Sequence, residues 1–360
     1  MTESLTTQDR IERAVIRTLL DLPDGALRLL GGGARVIDGQ ALDPQLQLVT
    51  RLRAMLGRGA LVGDSPAASR ARLRRDMRTL APETVPTVRT ADVVIDGPGG
   101  PLPARHYVAA AKKGAAPAPL LVYLHGGGFV VGDLDTHDLP CRLLCREGGL
   151  HVLSVDYRLA PEHPFPAALD DAVAAVRWAR ANAASLGADD GRILLGGDSA
   201  GANLALAATS AHPELPVTAQ LLVYPPTDAV TERPAHALFD RDLFLSRADR
   251  EVFTRRYLDG TGTGRDDPRV SPLFAELAHC PPAYVVVAHF DILRDEGEAI
   301  VEALANAGVP VDVHREPTLP HGFVQMTGFS RAAHRATVKL AKDFRAFADQ
   351  LPARTEEVHA

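Results

Sequence analysis

The sequence predicts an α/β fold, with a mostly parallel central sheet that is flanked by helices. Three observations predict it. Strand-like apolar runs alternate with helical stretches from about residue 90 onward, which is typical of a parallel sheet with helices on both faces. Residues 119–125 are apolar without alternation, as in a strand buried on both faces. The chain has 360 residues, 46% of them hydrophobic, which is enough for a sizeable core.

Two strands joined by a Gly-Pro-Gly-Gly-Pro turn are predicted first, at 91–96 and 104–108. The strand at 119–125 follows, and further strand-like runs lie at 151–157, 192–196, 219–224, 283–289 and 310–315. The helical stretches between and after them are predicted at 138–147, 166–186, 200–211, 292–307 and 331–350, with a loop at 316–330.

Two segments do not fit the alternation. Residues 1–80 are polar and helical, with a helix stop at Gly31-Gly32-Gly33, and residues 227–270 are too long for an ordinary connection. We expect both segments to form a helical cap. The catalytic domain would then comprise residues 81–226 and 271–350, and residues 351–360 would be a flexible tail.

Composition excludes several classes of protein. The net charge of −6 gives no general attraction to nucleic acid, and no apolar run has the length of a membrane span. The three cysteines suggest neither a disulfide framework nor a metal site, so no metal is expected. Residues 1–17 mix charges throughout and lack the apolar core of a signal peptide, so a cytoplasmic location is expected. An arginine-rich stretch at 51–78 is interpreted as a solvated helical face rather than an anion site.

Ser199 is the candidate nucleophile. It lies in Gly197-Asp198-Ser199-Ala200-Gly201, after a predicted strand and before a predicted helix. A serine on so sharp a turn has strained backbone angles, and glycines two residues away on either side avoid collisions. A serine hydroxyl still requires a base and a residue that orients the base.

Asp291 is the favoured acid because it directly follows the strand at 283–289, and active sites of such sheets lie at the carboxyl ends of strands. Asp295, Glu296 and Asp228 are the alternatives. The first two also suit the beginning of a helix, where carboxylates complement the helix dipole.

His321 is the favoured base because it lies in the loop after the last strand, in Leu319-Pro320-His321-Gly322-Phe323. The chain order Ser, Asp, His is the one this arrangement requires. The other histidines that follow Asp291 are less suitably placed: His314 in a strand, His334 in the terminal helix and His359 in the tail.

Backbone donors for an oxyanion are expected where the strand at 119–125 ends, in His125-Gly126-Gly127-Gly128. Glycines let backbone N–H groups approach a substrate closely. The N–H of Ala200, at the beginning of the next helix, would complete the oxyanion hole.

Together these motifs resemble the hormone-sensitive-lipase-like (bacterial family IV) carboxylesterases of the α/β-hydrolase fold. The resemblance covers residues 91–345. It rests on His125-Gly126-Gly127-Gly128-Phe129, Tyr157-Arg158-Leu159-Ala160-Pro161-Glu162-His163-Pro164-Phe165-Pro166-Ala167, Gly197-Asp198-Ser199-Ala200-Gly201-Ala202-Asn203, Asp291-Ile292-Leu293-Arg294-Asp295-Glu296-Gly297 and His321-Gly322-Phe323. One departure is Ile292, where the family usually has proline.

The resemblance implies a catalytic triad of Ser199, Asp291 and His321, with an oxyanion hole formed by Gly127, Gly128 and Ala200. His125 would anchor the glycine loop. It further implies a cap of the kind described above, short-to-medium acyl ester substrates, an acyl-enzyme intermediate and no cofactor, and it allows a homodimer. An amidase, lactonase or arylformamidase would use the same triad. A non-catalytic ligand-binding receptor is the remaining alternative, and it would be expected to lack a member of the triad.

Overall fold

The computed structural model describes residues 6–55, 61, 63, 65–80, 87–110, 116–240 and 243–352. Most of the tail predicted at 351–360, including His359, lies outside these residues. Within them, the strands are β1 (Val36–Ile37), β2 (Gln40–Ala41), β3 (Val88–Gly97), β4 (Gly100–Ala109), β5 (Pro119–Leu124), β6 (His151–Val155), β7 (Asp189–Asp198), β8 (Val217–Val223), β9 (Ala283–Phe290) and β10 (Val311–Pro320).

The α-helices of the described residues follow the predicted alternation. They are α1 (Thr7–Leu20), α2 (Asp24–Leu30), α3 (Pro44–Met55), α4 (Pro66–Leu80), α5 (Asp138–Gly148), α6 (Ala167–Asn182), α7 (Ala200–Ala211), α8 (Pro234–Leu238), α9 (Arg247–Leu258), α10 (Arg294–Asn306) and α11 (Arg331–Asp349). Short 3-10 helices lie at Ala184–Leu186, Pro272–Phe274 and Phe323–Gly328. None of the described helices combines the length and apolar character that a membrane-spanning helix requires.

Eight strands form one sheet in the order β10-β9-β8-β7-β5-β6-β4-β3. The pairs β3–β4 and β4–β6 are antiparallel, and all other neighbours are parallel. The predicted α/β fold is therefore confirmed. Because β5, β7, β8 and β9 all run in the same direction, their carboxyl ends lie at one edge of the sheet, where the site is expected.

The core has two layers, one on each face of the sheet. Side chains of α6, α7 and α10 pack on one face, and those of α5 and α11 pack on the other. Every residue of β5 and of β8 is buried, as expected for strands covered on both sides. Two residues of the N-terminal segment, Leu42 and Leu46, also belong to this core.

The structure differs from the sequence-based expectation in three places. Residues 36–41 form a small hairpin in a segment predicted as helical, because Asp38 and Gly39 both have positive φ (48° and 77°) and allow a tight turn. Strands β3 and β4 pair up to Gly97 and Gly100, so the turn between them is shorter than predicted. Residues 316–320, predicted as loop, extend β10.

Hydrogen bonds join the N-terminal segment to the 227–270 segment and hold its helices together. The Leu61 N–H donates to Asp249 Oδ1 (2.9 Å), and an Arg256 guanidinium donates to the carbonyl of Gly63 (2.9 Å). Arg13 of α1 donates to two carbonyls at the end of α4. The two segments are therefore in direct contact with each other.

Candidate active site

Ser199 occupies a strained turn between β7 and α7. Its φ and ψ are 52° and −120°, a backbone conformation that L-residues rarely adopt. A Cβ at Gly197 would lie 2.1 Å from the carbonyl oxygen of Leu124, and one at Gly201 would lie 1.9 Å from the same atom. Both glycines are therefore required because the turn packs directly against the end of β5.

Asp291, His321 and Ser199 form a continuous hydrogen-bonded chain. His321 Nδ1 is 2.7 Å from Asp291 Oδ2, and His321 Nε2 is 2.9 Å from Ser199 Oγ. Asp291 is only 1% exposed, and its other oxygen accepts the N–H of Leu293 (2.9 Å). The ring of Tyr224 packs beside the imidazole, with 4.6 Å between ring centroids. The structure thus brings together the three residues that the sequence singled out.

The alternative acids have other partners. Asp295 accepts the N–H of Ala235 (2.9 Å), and Asp228 forms an ion pair with Arg233 (2.9 Å). Glu296 is fully buried. One of its carboxylate oxygens accepts two backbone N–H groups from the segment after β8, and the other contacts His236 and Arg250. Among the alternative histidines, His314 pairs with Glu316 (2.6 Å).

The glycine loop after β5 has a backbone that only glycine adopts readily. Gly127 and Gly128 have φ of 128° and 58°, and a Cβ on Gly127 would lie 2.0 Å from the carbonyl oxygen of Val131. Within the described part of the chain, the N–H groups of these two glycines have no hydrogen-bond acceptor. The N–H of Ala200 begins α7, where helical N–H groups lack intrahelical partners.

His125 holds this loop by packing and hydrogen bonding. Its Nδ1 is 2.9 Å from the carbonyl oxygen of Gly126, and its ring stacks on Tyr157 with 4.2 Å between centroids. Burial lowers the pKa of His125 below its ordinary value, and the nearby His137 lowers it further. A neutral imidazole at this position fits a structural role.

Asp198 is a residue of the site whose role the sequence did not indicate. It is 1% exposed, and its Oδ1 accepts the hydroxyl of Tyr123 (2.7 Å) and the N–H of Gly126 (2.9 Å), with His137 Nε2 at 3.4 Å. Burial alone would raise the pKa of this carboxyl. The interaction with His137 and the hydrogen bonds that the carboxylate accepts outweigh that effect, and the pKa of Asp198 is lowered. In the sequence, only the position of this carboxylate directly before Ser199 pointed to a role in the site.

Ser199 opens into a cavity of about 130 Å³. Gly127, Gly128 and His321 line it beside the serine. Phe253 and Leu245 of the 227–270 segment line it from above, and Leu73 of α4 lies on another side. Among the described residues, no group of three or more His, Cys, Asp or Glu side chains is arranged to hold a metal ion.

The expectation of a solvated arginine face was wrong for Arg70 of α4, although Arg72 and Arg74 of the same helix are exposed. Arg70 Nε donates to the carbonyl of Val130 (2.7 Å), and its guanidinium also pairs with Glu162 (2.6 Å). Arg74 pairs with Asp133, which follows the glycine loop. A guanidinium has five N–H donors, so one side chain can bind several groups at once. These arginines attach α4 to the loop that carries Gly127 and Gly128.

Comparisons with known proteins agree with this architecture. A sequence profile of the α/β-hydrolase fold matches residues 121–325. The chain is 42% identical over 351 residues to the carboxylic ester hydrolase LipN of Mycobacterium tuberculosis, covering 94% of this chain and 92% of that protein. It is 43% identical over 270 residues to the esterase LipI of the same organism, covering 74% of this chain and 84% of that protein.

Solved structures give the same result. An ester hydrolase from the metagenome of Lake Arreo is 35% identical, with a TM-score of 0.79, covering 85% of this chain and 99% of that one. An esterase of Pyrobaculum calidifontis is 33% identical, with a TM-score of 0.75 and coverages of 84% and 98%. The chain therefore belongs to the hormone-sensitive-lipase-like family of α/β hydrolases, and it is a carboxylesterase.

Proposed function

We propose that Ser199 is the nucleophile of this esterase, His321 its general base and Asp291 the carboxylate that orients His321. The observation that carries the proposal is the hydrogen-bonded chain, with 2.7 Å between Asp291 and His321 and 2.9 Å between His321 and Ser199. These distances suit a nucleophile, a base and an orienting acid.

The reaction then has two halves. Ser199 Oγ attacks the ester carbonyl while His321 Nε2 takes its proton, and the imidazolium is stabilised by the buried Asp291 carboxylate. His321 gives the proton to the departing alcohol, which leaves an acyl-enzyme. Water, activated by the same imidazole, attacks the acyl group, and the acid is released with Ser199 restored.

The negative oxygen of each tetrahedral intermediate lies in an oxyanion hole made of backbone donors. Gly127 and Gly128 supply two N–H groups that lack protein acceptors among the described residues, and Ala200 supplies the third from the start of α7. Asp198 supports the hole by binding the N–H of Gly126. Losing one such donor typically costs about 10²–10³ in kcat.

Residues 1–80 and 227–270 together form the cap in this proposal, and residues 81–226 and 271–350 form the catalytic domain. The hydrogen bonds from Leu61 and Arg256 across the two cap segments support this division, as do Leu73 and Phe253 in the cavity wall. Short-to-medium acyl esters are the proposed substrates. A homodimer and a cytoplasmic location remain predictions, which sedimentation analysis and fractionation would test.

Two measurements test the triad. Ser199→Ala should reduce the hydrolysis of p-nitrophenyl butyrate by about 10⁴-fold or more, since no other hydroxyl among the described residues is hydrogen-bonded to His321. A fluorophosphonate should add one covalent adduct to the native enzyme, and peptide mass spectrometry should find it on Ser199. Retained hydrolysis by Ser199→Ala, or an adduct on another residue, would refute the mechanism.

A further inference from the structure

A second, larger cavity adjoins the one at Ser199. It has a volume of about 460 Å³, against about 130 Å³ for the cavity at the serine. Among the described residues, both cavities are lined by Arg53, Leu61, Leu73, Asp76, His321, Gly322 and Gln325, so the two cavities adjoin each other. We call the larger one the distal chamber. Its size lies within the range of pockets that hold small-molecule ligands.

The distal chamber is lined mainly by apolar side chains from the N-terminal helices. Leu19 of α1, Leu52 of α3 and Met77 of α4 contribute to it, and Phe244 and Met326 complete the opposite side. Leu19, Leu52 and Met77 are only half-buried, since they face the chamber. Such a surface favours an apolar ligand, because burying it removes apolar area from water.

The chemistry of the proposed reaction determines which part of an ester faces this chamber. The carbonyl oxygen points to Gly127 and Gly128, which line only the smaller cavity. The departing oxygen must lie next to His321 Nε2, which gives it a proton. Ser199, Gly127 and Gly128 line only the smaller cavity, whereas His321 lines both, so the group attached to the departing oxygen is the part of the ester nearest the distal chamber.

The acyl part is left with the smaller cavity. Beyond Ser199 it is limited by Leu245, Phe253 and Leu293. These three side chains are buried, and the whole cavity that they help to line has a volume of only about 130 Å³. A long acyl chain therefore has less room than a long alcohol.

We propose that the distal chamber binds the alcohol part of the substrate, and that the enzyme prefers esters of short acids with long or bulky apolar alcohols. This inference rests on the proposed function and specifies the substrates of the same site. Each methylene that becomes buried in the chamber raises kcat/KM by up to roughly fourfold, the equivalent of about 0.8 kcal/mol.

Pairs of isomeric esters test whether the chamber binds the alcohol part or the acyl part. The two members of each pair have the same number of carbon atoms, so they differ little in overall hydrophobicity. Octyl acetate and ethyl octanoate have the same formula, and so do hexyl acetate and ethyl hexanoate. Their hydrolysis by the full chain can be followed by titrating the released acid. We expect kcat/KM for octyl acetate to exceed that for ethyl octanoate by at least tenfold, with a smaller ratio in the hexyl pair. Equal or inverted ratios would overturn the assignment.

Variants that fill the chamber show whether the preference depends on it. Leu19→Trp from α1 and Met77→Trp from α4 each reduce the octyl acetate to ethyl octanoate ratio by at least fivefold. Ile11→Trp is the matched control, since Ile11 lies on α1 but is 62% exposed, and it leaves the ratio unchanged. A ratio that stays the same in both chamber variants would overturn the proposal.

The outcome also separates this inference from the function on which it rests. Hydrolysis of both isomers without a preference contradicts the role of the chamber and leaves the esterase mechanism intact. Hydrolysis of neither ester, nor of p-nitrophenyl butyrate, contradicts the proposed function itself, and the inference with it.

Discussion

The hydroxyl of Tyr157 donates a hydrogen bond to the carbonyl oxygen of His125 at 2.6 Å, while the two rings stack at 4.2 Å. Tyr157 follows β6, and His125 begins the glycine loop after β5. The contact therefore joins the ends of two neighbouring strands directly beneath the proposed oxyanion hole.

Tyr157→Phe keeps the stacked ring and removes only the hydroxyl. We expect the free energy of unfolding to fall by about 1–3 kcal/mol, because the carbonyl of His125 is left buried without its donor. Since the loop loses support, kcat should fall by roughly tenfold while KM changes little. Urea denaturation and steady-state kinetics measure the two effects. A fall in stability with unchanged kcat would contradict a role in positioning the loop.

Asp291→Asn and Asp295→Asn distinguish the proposed acid from its neighbour. Loss of the carboxylate at Asp291 should reduce kcat/KM by about 10⁴-fold, since the neutral imidazole is no longer held in the correct tautomer and the imidazolium loses its counter-charge. Asp295 binds the N–H of Ala235, away from His321, so its substitution should cost less than tenfold. The same p-nitrophenyl ester assay measures both. Comparable losses in the two variants would contradict the assignment of Asp291.

Gly127→Ala tests the geometry of the loop. The new methyl group would lie 2.0 Å from the carbonyl oxygen of Val131, so the loop must shift and its N–H must move. We expect kcat to fall by about 10²–10³-fold. Gly308→Ala is the matched control, because Gly308 also has a positive φ (80°) but has no atom within 4 Å of the new methyl group. That control should retain nearly full activity.

Asp156→Asn should stabilise the protein above about pH 6. Burial, reinforced by the charge of Asp133, raises the pKa of Asp156 from 3.8 to about 6, although Arg74 and Arg105 oppose this. An acid with a raised pKa binds its proton more tightly in the folded state, so its ionisation destabilises the fold as the pH rises from about 4 to about 6. The loss is at most about 3 kcal/mol.

Urea denaturation between pH 5 and pH 8 measures this effect. The Asn variant should be more stable than the native protein at pH 7.5, and the difference should shrink towards pH 5. Asp96→Asn is the control, since Asp96 is exposed and surface substitutions usually change stability by less than about 0.5 kcal/mol. An Asn variant that is no more stable at pH 7.5 would contradict the raised pKa.

Arg70→Ala should weaken the attachment of α4 to the glycine loop. The carbonyl of Val130 loses its donor, and Glu162 loses its partner. We expect a loss of about 1–3 kcal/mol in unfolding free energy and a several-fold fall in kcat/KM. Arg177→Ala removes an exposed ion pair with Glu214 and should change neither quantity measurably. Equal behaviour of the two variants would show that Arg70 does not support the loop.

Much of the fold could be predicted because its signals are local. The buried strands and the motifs around Ser199 and His321 lie in short, continuous stretches. The choice of Asp291 followed from its position after a strand, and the structure places its carboxylate beside His321. The glycine pattern around Ser199 also follows from local geometry, since the turn packs against β5.

The parts that the sequence did not predict depend on distant partners. Asp198 is held by Tyr123, which lies on another strand, and no spacing in the sequence relates them. Arg70 binds carbonyls that are far away along the chain. No local pattern relates them to Arg70, so the sequence predicted only a charged, solvated helix face. The hairpin at residues 36–41 did have a local signal, the Asp38-Gly39 pair, which the helical interpretation of the segment overlooked.

The hydrogen bonds of Leu61 and Gly63 also have a consequence for the order of folding. Their partners, Asp249 and Arg256, are 188 and 193 residues further along the chain. During synthesis from the N-terminus, the first helices therefore emerge long before these contacts can form. These bonds can form only after strands β1 to β8 have been synthesised, and the wall of the distal chamber is complete only after residue 329.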